Sequence, residues 1–127
     1  MTQNLNTKAI GIPCNENNFY RLWLTFLSPL HKLTSKSVQV AAELLKHRKR
    51  LSKVTTDLNI LNKILLGSET KQDIMKECGI TSSNYYVVIS KLKKAGFLTN
   101  YGINPKFIPD NNIDAKNYHL HIMFNIS

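Results

Sequence analysis

Long apolar runs are missing from this 127-residue chain. Without about 18 consecutive apolar residues, no segment reads as a membrane-crossing helix. Cysteine is scarce: Cys14 and Cys78 are the two present. They make no C-x-x-C pair and no zinc ligand set, and both thiols are expected to be reduced. Cys78 reads as a small buried apolar residue. Glycine numbers five, none clustered, which excludes a phosphate-cradling Gly-rich loop. The eight acidic residues are scattered, with no local pair suited to acid–base work. His31 and His47 are isolated. His119 and His121 lie two apart with no third ligand nearby, so a solvated strand face is expected there. No enzymatic activity, metal or cofactor is expected.

What the chain has is positive charge. Seventeen Lys+Arg face eight Asp+Glu, giving a net charge of +9 and a pI near 9.7. This balance favours a polyanionic partner, either nucleic acid or an anionic membrane surface. The membrane is the weaker of the two, because no basic helix here also carries an exposed apolar face. The first 18 residues are polar and lack the apolar core of a secretory signal, so the default compartment is cytoplasmic.

Residues 70–98 (TKQDIMKECGITSSNYYVVISKLKKAGFL) carry the most information. They read as two short helices joined by a tight turn, with an apolar exit into a strand, the grammar of a helix-turn-helix. Thr70 is the expected N-cap of the first helix, with Asp73 favouring its positive end. Ile74, Met75 and Cys78 give it an apolar face. Gly79 suits a left-handed terminus, Ile80 plugs the angle between the helices, and Thr81 or Ser82 caps the second. In that helix Tyr85, Val88, Ile89 and Leu92 recur at core spacing. The opposite face carries Ser82, Ser83, Asn84, Tyr86, Val87, Ser90, Lys91 and Lys94 and has no carboxylate. Gly96 stops the helix.

The rest of the chain supplies a scaffold. Residues 1–18 read as flexible. Residues 19–27 (FYRLWLTFL) are apolar and aromatic; whether they start as a strand or run into a helical turn is open from pattern alone. Trp23 and Phe26 are expected in the core. A helix of about four turns follows, capped by Thr34, burying Val38, Ala41, Ala42, Leu44 and Leu45. It ends in KHRKRLSK, whose Lys46, Arg48, Lys49, Arg50 and Lys53 form a further candidate phosphate patch. Thr56-Asp57 open another helix with Leu58, Leu61, Ile64 and Leu65 as its core stripe. Asn100-Tyr101-Gly102 is a turn signal. Residues 118–126 alternate in polarity like a half-buried strand. Paired with residues 97–100, they would form a wing, connected by a long segment that carries Lys106 and Lys116.

In this order of elements the chain resembles the winged-helix DNA-binding proteins of plasmids and phages, and more narrowly the RepL-type plasmid replication proteins. The likeness covers residues 19–109: the aromatic FYRLWLTFL, the helix opening LTSKSVQVAAELL, the helix-turn-helix, and the phrase INPKFIP after it. The middle segment KHRKRLSKVTTDLNILNKILL and the strand-like NYHLHIMFNI depart from that pattern. The resemblance implies a DNA-binding role in replication or its control, with the helix at residues 82–95 in the major groove.

The expectation is thus a mainly α fold with a small antiparallel β-wing, a winged helix-turn-helix spanning residues 19–127, that binds double-stranded DNA with sequence specificity. Ser82, Ser83, Asn84, Tyr86 and Val87 would reach base edges, Asn84 through a bidentate pair with adenine. Lys71, Ser90, Lys91 and Lys94 would hold phosphates, and Lys106 an adjacent backbone or minor groove. A homodimer, paired through the aromatic N-terminal segment or the last strand, fits this reading, as does contact with a host's replication or transcription machinery. The competing readings are a protein-docking winged helix and a non-specific nucleic-acid binder, RNA included, for which Tyr86 and Tyr101 are the candidate stacking residues.

Overall fold

The computed structural model describes residues 8–109 and 116–127. It is mainly helical, with one two-stranded antiparallel sheet. The expected flexibility of the first 18 residues lies partly outside the described range. Within it, Asn15 and Asn18 close a turn in which the Asn18 side chain accepts from Asn15 N–H at 2.8 Å.

Residues 19–27 resolve as a helix. α1 (Phe19–Phe26) buries Tyr20, Trp23 and Leu24, with Leu27 just beyond its end. These positions follow i, i+3, i+4, i+7, the spacing of a helical face. Phe26 falls off that face and is 44% exposed, contrary to its expected core position. A short α2 (Ser28–His31) has Pro in its first turn, where a missing N–H costs nothing.

The scaffold centres on α3 (Ser35–Ser52), which packs against α1, α4, α5 and α6. Thr34 caps it as expected by accepting from Ser37 N–H at 3.3 Å. At 18 residues it is a turn longer than expected. Ala41, Ala42, Leu44 and Leu45 are buried, joined by Ser37 and Val40, while Val38 sits half-buried at the edge.

α4 (Leu58–Leu65) is capped by Asp57, which accepts from the N–H groups of Asn59 and Ile60. Its buried stripe is narrower than expected. Leu61 and Leu65 are buried, whereas Leu58 is 58% and Ile64 43% exposed. Eight residues make just over two turns, so one line of contact accommodates two side chains.

α5 (Ser68–Cys78) begins earlier than expected. Gly67 is its N-cap, and Thr70 lies within the first turn. There Thr70 is buried and donates its hydroxyl to the Ile64 carbonyl at 2.9 Å. The hydroxyl that would have capped α5 instead satisfies an end carbonyl of α4. Gly79, at φ +64°, takes the left-handed position that ends α5.

After α6 (Ser82–Lys94) come β1 (Leu98–Thr99) and β2 (Gly102–Ile103), paired Leu98↔Ile103 and Thr99↔Gly102. The expected partner strand at residues 118–126 is absent from the described residues. Asn100 and Tyr101 make a two-residue turn, and the chain pairs with its immediate continuation. Tyr118 packs edge-on against Phe19 and Trp23, while Leu120, Ile122, Phe124 and Ile126 are exposed. Part of the long connection, residues 110–115, lies outside the described range.

A 3-10 turn (Pro105–Phe107) ties the segment after the hairpin to the body. Phe107 is fully buried beside Phe97, ring centroids 5.6 Å apart. Its carbonyl accepts from Trp23 Nε1–H at 2.8 Å. Asn104 works in two directions: Nδ2 donates to the Gly96 carbonyl at 3.1 Å, and Oδ1 accepts from Lys106 N–H at 3.2 Å.

Candidate nucleic-acid interface

Three residues, Gly79, Ile80 and Thr81, set the angle between α5 and α6. Ile80 is buried in the corner, and its N–H donates to the Met75 carbonyl at 3.1 Å. Thr81 accepts from Asn84 N–H at 3.2 Å and caps α6. Tyr85, Val88 and Leu92 then fix the inner face of α6, with Ile89 partly buried beside them. Burial, with Tyr86 next to it, pushes the Tyr85 phenol above its ordinary value, so this ring is a neutral anchor.

Anchoring that face decides what points outward. Ser83, Val87, Ser90 and Lys94 follow one another at spacings of three and four, a ridge along the helix. Asn84 and Lys91 flank it on one side, Tyr86 and Lys93 on the other. All eight are exposed and Ser82 is half-buried. The residues expected to form the reading face are therefore brought together on one side of α6. No carboxylate belongs to α6, and Lys91, Lys93 and Lys94 crowd its C-terminal turn.

Lys71 reaches this face from α5. Its Nζ donates to Tyr86 Oη at 3.0 Å and lies 4.3 Å from the Tyr86 ring centroid. Lys106 is exposed after the hairpin, its Nζ 5.1 Å from the Phe107 ring centroid.

The basic end of α3, the further candidate phosphate patch, is partly engaged within the protein. Lys46 pairs with Glu43 at 3.0 Å, and Arg50 donates to His47 Nδ1 at 2.5 Å. Burial, and then the charge of Arg50, lowers the His47 pKa, against the opposing pull of Asp73 on α5. Lys46, Arg48 and Lys49 are half-buried, while Arg50 and Lys53 are exposed. Acidic neighbours thus offset part of this charge, as they do not on α6.

Lys32 is a residue that no sequence signal marks. It adopts the left-handed region at φ 54°, and its N–H donates to the Ser28 carbonyl at 2.8 Å. The buried His31 next to it bridges the turn. Its Nδ1 accepts from Leu33 N–H at 2.9 Å, so the ring proton sits on Nε2, 2.7 Å from the Leu24 carbonyl. This turn brings Lys32 to a cleft whose other side is formed by Lys91 and Lys94.

Among the described residues, no group of three His, Cys, Asp or Glu side chains converges on a common point. Cys14 and Cys78 are free thiols; burial, then the charge of Glu43, raises the Cys78 pKa, so its reactive thiolate form is disfavoured. Among the described residues no helix is long and apolar enough to cross a membrane. The chain matches no protein-family model, no curated protein and no solved structure.

Proposed function

We propose that this protein is a sequence-specific double-stranded DNA-binding protein built as a winged helix-turn-helix, with α5 and α6 as the helix pair and β1–β2 as a minimal wing. The observation that carries the reading is the outward face of α6. It is exposed along its length, free of carboxylates, and ends in Lys91, Lys93 and Lys94. Small polar and amide side chains at its start suit base edges, while lysines at its end suit phosphates. Because α6 is held by Thr81, Ile80 and its buried inner face, the polar side chains project from a rigid rod. A role in plasmid or phage replication, or in transcriptional control, rests on the resemblance of residues 19–109 alone.

The test is selection from a randomised duplex library at about 150 mM salt, where non-specific phosphate binding is reduced. An enriched motif is the expected outcome, and a palindromic one would add a dimer. Salt-sensitive retention of every sequence alike would reduce the function to non-specific nucleic-acid binding.

Protein docking is the second reading, favoured by the apolar side chains that α4 leaves in water: Leu58, Ile60 and Ile64 are 43–58% exposed. It would appear as binding to a protein partner that survives high salt, with no retention of duplex DNA.

A further inference from the structure

We propose that the cleft between the α2–α3 turn and the C-terminal end of α6 seats one phosphate group, and that the group comes from the backbone of bound duplex DNA. The cleft has a volume of about 300 Å³ and opens to solvent. One water needs about 10–15 Å³ of such space, so the cleft has ample room for one phosphate and part of its hydration shell. Lys91 and Lys94 line it from α6, and Lys32 and Thr34 from the opposite wall, with the buried Ser37 behind. No carboxylate lines it. Among the described residues none of the three lysines has an acidic partner; the ion pair present, Lys46–Glu43, lies in the middle of α3.

Three cations from two separate parts of the chain thus share one depression without a counter-charge. Bringing like charges together is unfavourable, and an anion between them adds attractions to each that outweigh the repulsion. Lys32 is also held in place. The His31 ring bonds to Leu24 and Leu33 on either side of it, and the Lys32 backbone adopts a conformation that L residues rarely take. Phosphate is the chemistry of choice for such a site, since several ammonium groups can share its oxygens as point-charge donors.

The DNA source rests on the reading of the α6 face given above. Lys91 borders Asn84 on the same flank of that face, so a strand whose bases meet Asn84 would run its backbone past the cleft. Lys32 then becomes a DNA contact delivered from outside α5 and α6.

Lys32→Gly is the decisive variant. It removes the charge and suits the left-handed backbone, so weaker binding cannot be ascribed to lost folding. Lys32→Arg keeps the charge, and Lys63→Ala, an exposed lysine on α4, is the control. Duplex affinity is measured as a function of salt, and amide shifts at residues 33–37 are followed while inorganic phosphate is titrated. Lys32→Gly is expected to lower the salt slope by about 0.9 and duplex affinity about fivefold at ~150 mM salt. Lys32→Arg and Lys63→Ala should behave as wild type. If wild type binds duplex and Lys32→Gly binds it equally, the cleft assignment is overturned while the DNA-binding reading stands. If wild type binds no duplex, that reading falls and the backbone source falls with it. Saturable, Lys32-dependent shifts with inorganic phosphate, without a duplex effect, would reassign the cleft to a small phosphorylated molecule and overturn the backbone source.

Discussion

Lys71 Nζ and the Tyr86 side chain form one unit across the α5–α6 pair, joined by a 3.0 Å hydrogen bond and a 4.3 Å approach to the ring centroid. Lys71 is therefore engaged within the protein as well as facing solvent. It orients the one aromatic ring on the outward side of α6, and a phosphate drawn to Lys71 would be drawn toward Tyr86. A double-mutant cycle of Lys71→Met and Tyr86→Leu, read by thermal or urea unfolding, should show a coupling of about 0.5–1 kcal/mol. Additive effects would mean that neither side chain orients the other.

Asn84→Ala should weaken the selected duplex by about 1–3 kcal/mol and relax the preference at one base position. Lys91→Ala should weaken every duplex alike and flatten the salt slope by about one unit. The two variants separate base reading from backbone holding. If Asn84→Ala binds all sequences as wild type does, the reading face is misassigned.

Asn104 joins the end of α6 to the segment after the hairpin through both ends of its amide. Asn104→Ala removes both bonds and should destabilise the fold by about 1–3 kcal/mol. Asn104→Asp keeps the acceptor facing Lys106 N–H but sets a carboxylate oxygen against the Gly96 carbonyl, so its cost should be at least as large. Equilibrium urea unfolding orders the two.

Gly102 has φ +122°, and a Cβ there would lie 2.6 Å from the Asn62 Cγ. The Asn62 amide can swing away only by giving up its bond to the Tyr101 carbonyl. Gly102→Ala should cost about 1–3 kcal/mol. Adding Asn62→Ala should cost less than it does in wild type, since the clash and the hydrogen bond disappear together. Full additivity in thermal unfolding would argue against the contact.

His47 supplies a pH dependence. Its pKa is lowered in the folded chain by burial first and Arg50 second, so the unfolded chain binds the proton first as pH falls. Stability is then full above the ordinary histidine value, near 6.5, and declines as pH drops toward the lowered folded value, below which this contribution levels off. His47→Gln should flatten the fall in melting temperature between about pH 7 and pH 5. An unchanged profile would assign the acid sensitivity to other groups.

Local physics made several elements legible from sequence. Thr34, Asp57 and Thr81 each bond an amide two or three residues away, so the capping signal is complete within a few letters. Gly79 and Ile80 followed from the same short-range rules. Partner choice was not legible. The alternation of residues 118–126 reports a preference for a two-sided environment and names no partner, while Gly102 permits β1 to fold back at once. Leu58 and Ile64 carry the right period, but only contact with α3 and α5 decides which apolar side chains a short helix buries. Most of the α6 face could be read because its inner stripe determines its outer one. Lys32 could not, since its place depends on a histidine relay and on the far end of α6.

The bond from Trp23 to the Phe107 carbonyl spans 84 residues of chain. Tyr118 adds its ring to the same aromatic cluster. During synthesis, α1 therefore leaves the ribosome long before the segment that covers it, and its indole waits without a native acceptor until residue 107 emerges. Closure of so long a loop comes late, because its entropy must be lost before its contacts form. The α5–α6 pair, by contrast, is assembled from neighbours in sequence. The surface proposed to meet DNA takes its shape from short-range contacts, and the long-range bond from Trp23 to Phe107 closes the body behind it.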